Sequence, residues 1–426
     1  MSQPLGWHRH LIGTATAKST APAYTGFRFA SPRNRIADDC RSASSRGGTA
    51  RDCYANRITH WIGSGDMSQL VLSFSGWSLS TSGALTTPTG SYTILSAAWE
   101  SVNLAVSVPI YFGGSRSKTI SALDTDIQCD PILPSAFSLS KFTRGEQYFL
   151  RINVQVSVVG NTVPVNTAGV MYTGESAIGF ALGSSNVDPV DSTGIRGVNS
   201  GDAGSGYRVA HILLGKFVTG DPVTIMGIGD SIMYGLNDDV NPIFGYFQKS
   251  LFDANLTSGH RGGCNFGISS GVANAWSSGN SALVCSYLKY GKHAIEEYGT
   301  NGGTVAQSQA IWNALRAANV GKIIRTRVTP RTTTTNSWMT PAGQTYNAAY
   351  QPGQQKAIFN TDLQALLGIG FDTYFDCAAV VDSVDPWKWA GDGTTANLMT
   401  DDGLHPSTNG HSLLAASLRT IYAGWA

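Results

Sequence analysis

Ile228-Gly229-Asp230-Ser231-Ile232-Met233-Tyr234-Gly235 closes an apolar run that begins at Val223. Such a run, ending in Gly-Asp-Ser before a helix-compatible stretch, reads as a strand turning into a helix. The pattern recurs downstream. Gly263–Ile268, His293–Tyr298, Lys322–Val328 and Thr373–Val381 read as strands. Val305–Asn319 reads as a helix stopped near Gly321, and a last helix runs from about Ser407 with Leu414, Leu418 and Ile421 on one face. Strand–helix alternation predicts an α/β fold, a doubly wound parallel sheet of five strands with helices on both sides. Ligands of such a sheet sit at the carboxyl ends of its strands, where Ser231 falls.

Upstream of 220 the period changes to two. Val102, Leu104, Val106, Val108 and Ile110 alternate with Asn103, Ala105, Ser107 and Pro109. Tyr148, Leu150, Ile152, Val154, Val156 and Val158 alternate with Phe149, Arg151, Asn153, Gln155 and Ser157. Alternation of this kind predicts strands with one buried face, and turn-rich gaps such as Thr87-Pro88-Thr89-Gly90 separate them. The expectation is an all-β sandwich or jelly roll. The stretch Asn199 to Gly206 reads as a loop near its end. The boundaries expected are an N-terminal arm and loop region at 1–60, a β-sandwich accessory domain at 61–220 and the α/β unit at 221–426. No internal repeat is visible.

Composition narrows the class. The 426 residues suit two or three domains at roughly 150 residues each. Charged residues are only 13% and Gly reaches 49, which excludes a coiled coil, while 42% hydrophobic content argues against disorder. Lys+Arg (29) and Asp+Glu (28) leave a net charge of +1, so nucleic acid is not an expected partner. Polarity carried by Gly, Ser, Thr and Asn suggests an extracellular or particle-borne protein. No stretch reaches the length of a membrane span, and the first residues show no secretory signal, so a removed leader or another export route is implied. Cys40 with Cys53, or Cys264 with Cys285, would suit disulfides in an oxidising compartment, and buried free thiols fit equally. No C-x-x-C occurs, which excludes a zinc ribbon or thioredoxin-type site.

Ser231, at a helix start with a free backbone N–H, suits both a nucleophile and an oxyanion donor. Near the C-terminus stands Asp402-Gly403-Leu404-His405-Pro406. His405 follows the last strand, so it falls at the same edge as a base. Asp402, three residues earlier, is spaced to orient its ring, with Asp401 the rival. Asn265-Phe266-Gly267 follows the second strand and Gly299-Thr300-Asn301 the third, where a glycine N–H and an Asn amide are donors suited to an oxyanion. Gly267-Ile268-Ser269-Ser270-Gly271 also fits the G-x-S-x-G elbow, but several α/β strands should precede such an elbow and only one does. Asp124, Asp126 and Asp130 lack EF-hand spacing and read as a solvated turn. Gly227-x-Gly229 lacks the third glycine of a dinucleotide site. His293 reads as structural and His411 as a surface residue of the last helix.

Together these blocks resemble the SGNH hydrolases, the GDSL-like esterases, over about 222–425. The resemblance implies Ser231 as nucleophile, His405 as base and Asp402 as its orienter. It implies an oxyanion hole of the Ser231 and Gly267 amides and the Asn301 side chain. The family often has Asp after the third-block Asn, where this chain has Gly302. Phe112-Gly113-Gly114 followed by Cys129-Asp130-Pro131-Ile132 is similar to the β-domain that precedes the catalytic domain in some exported bacterial members. The implied activity is hydrolysis of short acyl esters with no metal or organic cofactor. With low charge, no apolar lid segment, and Trp276, Trp312, Trp338, Trp387 and Trp389 in this half, O-acetyl groups on a carbohydrate are the favoured substrate. A broad short-chain or aryl esterase is the alternative. So is a carbohydrate-binding or phage-tail-like adhesion protein with a vestigial hydrolase half, against which the intact Ser231, Asp402 and His405 argue. No membrane insertion is expected, and the oligomeric state is left open.

Overall fold

The computed structural model describes residues 26–42, 51–80, 84–167, 172–180, 190–194, 207–238, 244–252, 259–276 and 281–425. The stretch 199–206, expected as a loop, lies outside them.

Thr224–Ile228, Gly262–Asn265, His293–Glu296, Ile323–Thr326 and Thr373–Phe375 pair in parallel. Numbered along the chain, these five strands lie in the order 2-1-3-4-5. That is the flavodoxin-like doubly wound order, whose switch point lies beside the first strand. The sequence predicts five strands, and the sheet has six. Asn34–Arg35 adds in parallel to Gly262–Asn265 at the edge. Two residues carry no periodicity, so nothing local marks them as a strand.

The pleat sorts side chains to two faces. Ile225, Ile295 and Ile324 pack with Phe247, Leu414 and Leu418, from the helices Gly245–Leu251 and Thr408–Ala423. Met226, Ala294 and Ile323 join Ile311, Trp312 and Leu315 of the helix Val305–Ala317. That helix starts in a capping box, in which the Thr304 hydroxyl accepts from the Gln307 N–H and the Gln307 side chain accepts from the Thr304 N–H. The last helix is capped by Ser407, whose hydroxyl accepts from the Gly410 N–H.

The first half is antiparallel. Cys53–Trp61, Tyr92–Ser101 and Gln147–Val156 form the centre of one sheet, with Gln147–Val156 in the middle. Met67–Phe74 and Ile212–Phe217 form the centre of a second. The 148–156 alternation is a strand with Leu150, Ile152 and Val154 fully buried, while Val158 lies past its end, 62% exposed. The 102–110 alternation is not one strand. Tyr92–Ser101 and Val106–Ile110 form a hairpin across it, with Ala105 at a φ of 50°. Val102 and Leu104 are therefore exposed turn residues. The glycines of Phe112-Gly113-Gly114 sit at positive φ, and Asp130 accepts their N–H groups at 2.7 and 2.9 Å.

Both halves share one core, in which Phe29, Leu72, Trp99 and Leu150 cluster with Met226, Phe266 and Tyr287. Polar contacts cross as well. Arg28 binds Asp221 at 2.9 and 3.0 Å. Asp126 is not a solvated turn residue: it accepts from Ser73 at 2.8 Å and Lys289 at 2.9 Å, and also from Tyr290. All six cysteines are free, so neither Cys40 with Cys53 nor Cys264 with Cys285 is bridged. Among the described residues no helix is long and apolar enough to cross a membrane. Nor does any His, Cys, Asp and Glu group among them have a metal-binding arrangement.

Candidate active site

The strand Thr224–Ile228 ends at the sheet's switch point, and Ser231 opens a four-residue helix, Ser231–Tyr234, directly after it. Asp230 is the N-cap, its Oδ1 accepting from the Ile232 N–H at 3.1 Å. Gly235 ends the turn at a φ of 100°. A side chain there would meet the Gly245 backbone at 2.6 Å, so only glycine fits.

His405 comes from the long segment after the last strand, and its Nε2 lies 2.9 Å from Ser231 Oγ. Its Nδ1 lies 2.7 Å from Asp402 Oδ2. A carboxylate accepts only, so Nδ1 carries the hydrogen, and Nε2 is left to accept from the serine hydroxyl. Asp402 Oδ1 also accepts the Leu404 and His405 N–H groups, both at 2.8 Å. Partial burial would raise the Asp402 carboxyl, but the bonds from the His405 ring and these two amides outweigh it and hold the group below its ordinary value. Asp401 is exposed, and among the described residues it is Asp402, not Asp401, that bonds the ring. Ser269, in the G-x-S-x-G decoy, has no histidine partner among the described residues.

The three expected oxyanion donors differ in state. The Ser231 N–H, first in its helix, has no partner among the described residues. Asn301 is exposed and gives one Nδ2 hydrogen to the Gly271 carbonyl at 3.2 Å, and the other has no partner among the described residues. The Gly267 N–H is not free. It donates to Asn265 Oδ1 at 2.7 Å, while Asn265 Nδ2 donates to the Met233 carbonyl at 2.9 Å. The second block therefore acts through Asn265 as a brace between its own loop and the serine helix.

The Gly302 departure has a structural reason. Residue 302 sits at a φ of 111°, which favours glycine, and the loop is held from the other side. Tyr350 donates its hydroxyl to the Thr300 carbonyl at 3.0 Å, and Lys356 donates to the Gly299 carbonyl. An Asp at 302 is not needed for that support.

Sequence reading passes over Glu296, Glu297 and Arg325. Glu297 is buried, and its Oε2 accepts the N–H groups of Asp230 at 3.0 Å and Met233 at 3.2 Å. Burial, and then the Asp230 carboxylate, pushes Glu297 well above its ordinary range. Burial also lifts Asp230 to about 6. Glu296 pairs with Arg325 at 3.3 Å, both fully buried. Two acids closing a buried strand are the sequence signal that would have flagged this. His411 is not a surface residue. It is fully buried, taking the Tyr246 N–H on Nδ1 at 3.1 Å and donating from Nε2 to the Leu236 carbonyl at 2.8 Å. His293 is buried and accepts the Lys322 N–H at 3.0 Å. Of the five tryptophans, Trp276, Trp312, Trp387 and Trp389 are buried, and Trp338 alone is partly exposed. Its ring lies against Gly403 in the His405 loop.

No family model matches the chain, and no curated protein matches it. Solved structures do. A lipase/acylhydrolase from Enterococcus faecalis is 17% identical, with 48% of this chain and 96% of that one covered at a TM-score of 0.33. The lipase Lip_vut3 from a goat rumen metagenome is 14% identical, with 46% and 96% covered at 0.33. Protein YXIM from Bacillus subtilis is 13% identical, with 97% and 98% covered at 0.34. At these scores the likeness carries no argument about function, which rests on the geometry of the site.

Proposed function

We propose that the chain is a serine ester hydrolase with Ser231, His405 and Asp402 as its catalytic triad. The observation that carries this is the continuous relay of 2.9 and 2.7 Å from serine to imidazole to carboxylate, at the ligand edge of the sheet. His405 takes the Ser231 proton as Oγ adds to the ester carbonyl. The oxyanion so formed accepts from the Ser231 N–H and the free Asn301 amide hydrogen. His405 then protonates the departing alcohol, and water, deprotonated by the same ring, releases the acid from Ser231. The Gly267 N–H joins only if it leaves Asn265, so two donors are the working set. Every group needed belongs to the chain, and the reaction uses no metal or organic cofactor.

The substrate reading is a short acyl ester, with O-acetyl groups on a carbohydrate favoured over a broad short-chain or aryl ester. Trp338, partly buried against the His405 loop, supports it as an aromatic ring against which a sugar can pack. The near-neutral, Gly- and Ser-rich composition supports an exported or particle-borne protein acting on a neutral polymer. Labelling with a fluorophosphonate tests the enzyme reading: wild type should react and Ser231→Ala should not, whereas a binding protein with a vestigial site would not react at all. A panel of acetylated saccharides against p-nitrophenyl esters tests the substrate.

A further inference from the structure

The turn after the strand His293–Glu296 carries Asn301, and little in the turn itself fixes that residue. Gly299, Gly302 and Gly303 sit at φ values of 148°, 111° and 145°, and glycine resists backbone rotation least. Asn301 makes one bond of its own, at 3.2 Å to the Gly271 carbonyl. An oxyanion donor works only when it is aimed, and a misplacement of about 1 Å can cost about 10²-fold. The aim must therefore come from outside the turn.

The segment 332–356 supplies it. Tyr350 is buried and donates its hydroxyl to the Thr300 carbonyl at 3.0 Å. That carbonyl belongs to the planar peptide that ends at the Asn301 nitrogen, so holding it fixes the plane from which Asn301 departs. Lys356, also buried, donates to the next carbonyl back, that of Gly299.

The other end of the same segment holds the turn from Asp402 to His405. Thr332–Thr334 and Gln344–Tyr346 pair as a hairpin. The Thr332 N–H donates to the Gly403 carbonyl at 2.9 Å, and the Trp389 indole N–H donates to the same oxygen at 3.0 Å. Gln344 ties these two donors together. Its Nε2 donates to the Trp389 carbonyl at 2.8 Å, and its Oε1 accepts the Trp389 N–H at 2.9 Å and the Thr332 hydroxyl at 3.2 Å. Gly403 has a φ of 76°, and a side chain there would collide with the Thr332 carbonyl, so the two loops pack backbone on backbone.

We infer that 332–356 is a clamp that sets the base and the oxyanion donor in one frame. Tyr350 is the positioning residue for Asn301, and Gln344 is the positioning residue for His405. This rests on the ester hydrolase reading. The two residues act through different catalytic groups, so their effects on the reaction separate.

The test is a set of double-mutant cycles on the full chain with p-nitrophenyl acetate, folding being checked by melting. Tyr350→Phe removes one hydroxyl. It should lower kcat about tenfold, a part of the roughly 10²–10³ that a fully engaged donor is worth, with KM within about twofold. On Asn301→Ala the same change should lower kcat by under about twofold, because the group it aims is gone. Gln344→Met should also lower kcat, but by the same factor with or without Asn301, because it acts through His405. General loosening of the segment would give both substitutions one pattern. Should Tyr350→Phe not fold, Lys356→Met, the second anchor, goes through the same cycle, and Trp389→Phe replaces Gln344→Met on the same ground. The inference is overturned if Tyr350→Phe leaves kcat unchanged, if its loss is as large on Asn301→Ala as on wild type, or if Gln344→Met is silent or also needs Asn301. Any of these in a chain that hydrolyses p-nitrophenyl acetate sinks the clamp alone. Wild type that neither hydrolyses it nor takes a fluorophosphonate at Ser231 sinks the hydrolase reading, and the clamp with it.

Discussion

Replacing Glu297 separates two things a buried acid can do beside a nucleophile: accept hydrogen bonds and carry charge. Its Oε2 takes the Asp230 and Met233 N–H groups, one on each side of Ser231. Glu297→Leu would strand both donors in the interior. A buried donor left unsatisfied costs about 1–3 kcal/mol, so about 2–6 kcal/mol is expected, with kcat falling as the serine turn loosens. Glu297→Gln keeps a carbonyl oxygen in place and copies the neutral acid. Because burial and Asp230 raise the Glu297 pKa, the folded chain holds this proton where the unfolded chain has released it. Wild-type stability therefore declines as pH rises above the ordinary value of 4.5, by up to about 1.4 kcal/mol per pH unit, until the folded pKa is passed. The Gln variant lacks that decline and should be as stable as wild type or more so at neutral pH, with kcat/KM within about threefold. Urea unfolding across pH, paired with ester kinetics, reads both effects. A Gln variant that folds normally but loses more than about tenfold in kcat/KM would show that the charge matters. A Leu variant as stable as wild type would remove the hydrogen-bond argument.

Ser231→Ala should lose about 10⁴-fold or more in kcat with its melting point unchanged, while Ser269→Ala keeps most activity; the reverse pattern would move the nucleophile to the G-x-S-x-G segment. Asp402→Asn should cost far more activity than Asp401→Asn, because only Asp402 meets the His405 ring, and a larger loss at Asp401 would overturn the assignment. Asn301→Ala should lower kcat about 10²-fold with little change in KM, and a loss under about threefold would remove Asn301 from the oxyanion site. On p-nitrophenyl esters kcat/KM should fall steeply from acetate to octanoate, since a methylene in an apolar pocket is worth about 1–3 kcal/mol; a rising profile would favour a lipase-like pocket.

The parts of this protein legible in its sequence are those whose signal is local. The parallel strands announce themselves as apolar runs, and the last helix by its Leu414 and Leu418 stripe over a Ser407 cap. Asp402 and His405 can be paired on paper because three residues of chain separate them. The alternation at 102–110 misleads because apolar residues of a hairpin turn keep the same period as the strands they join. Asn34–Arg35 is silent for the opposite reason, since two residues have no period and only the edge of the sheet makes them a strand. His411 sits in a helix of mixed polarity, and only the facing Tyr246 N–H and Leu236 carbonyl account for its burial.

The same distinction explains how the serine is held. A helix of four residues is too short to sustain itself, so Ser231–Tyr234 must be fixed from outside. Three elements do this. Glu297, after the third strand, takes the N–H groups at the start of the turn. Asn265, ending the second strand, donates to the Met233 carbonyl. Arg35, on the edge strand and 199 residues upstream of Tyr234, donates to that residue's carbonyl. The first two strands flank the serine's own, and the third lies one further out. The 2.9 Å contact with His405 is thus a property of four adjacent strands rather than of the Gly229-Asp230-Ser231 turn. That also accounts for the spent Gly267 amide. Asn265 cannot brace Met233 through its nitrogen without presenting its oxygen to its own loop, and Gly267 is the group that meets it.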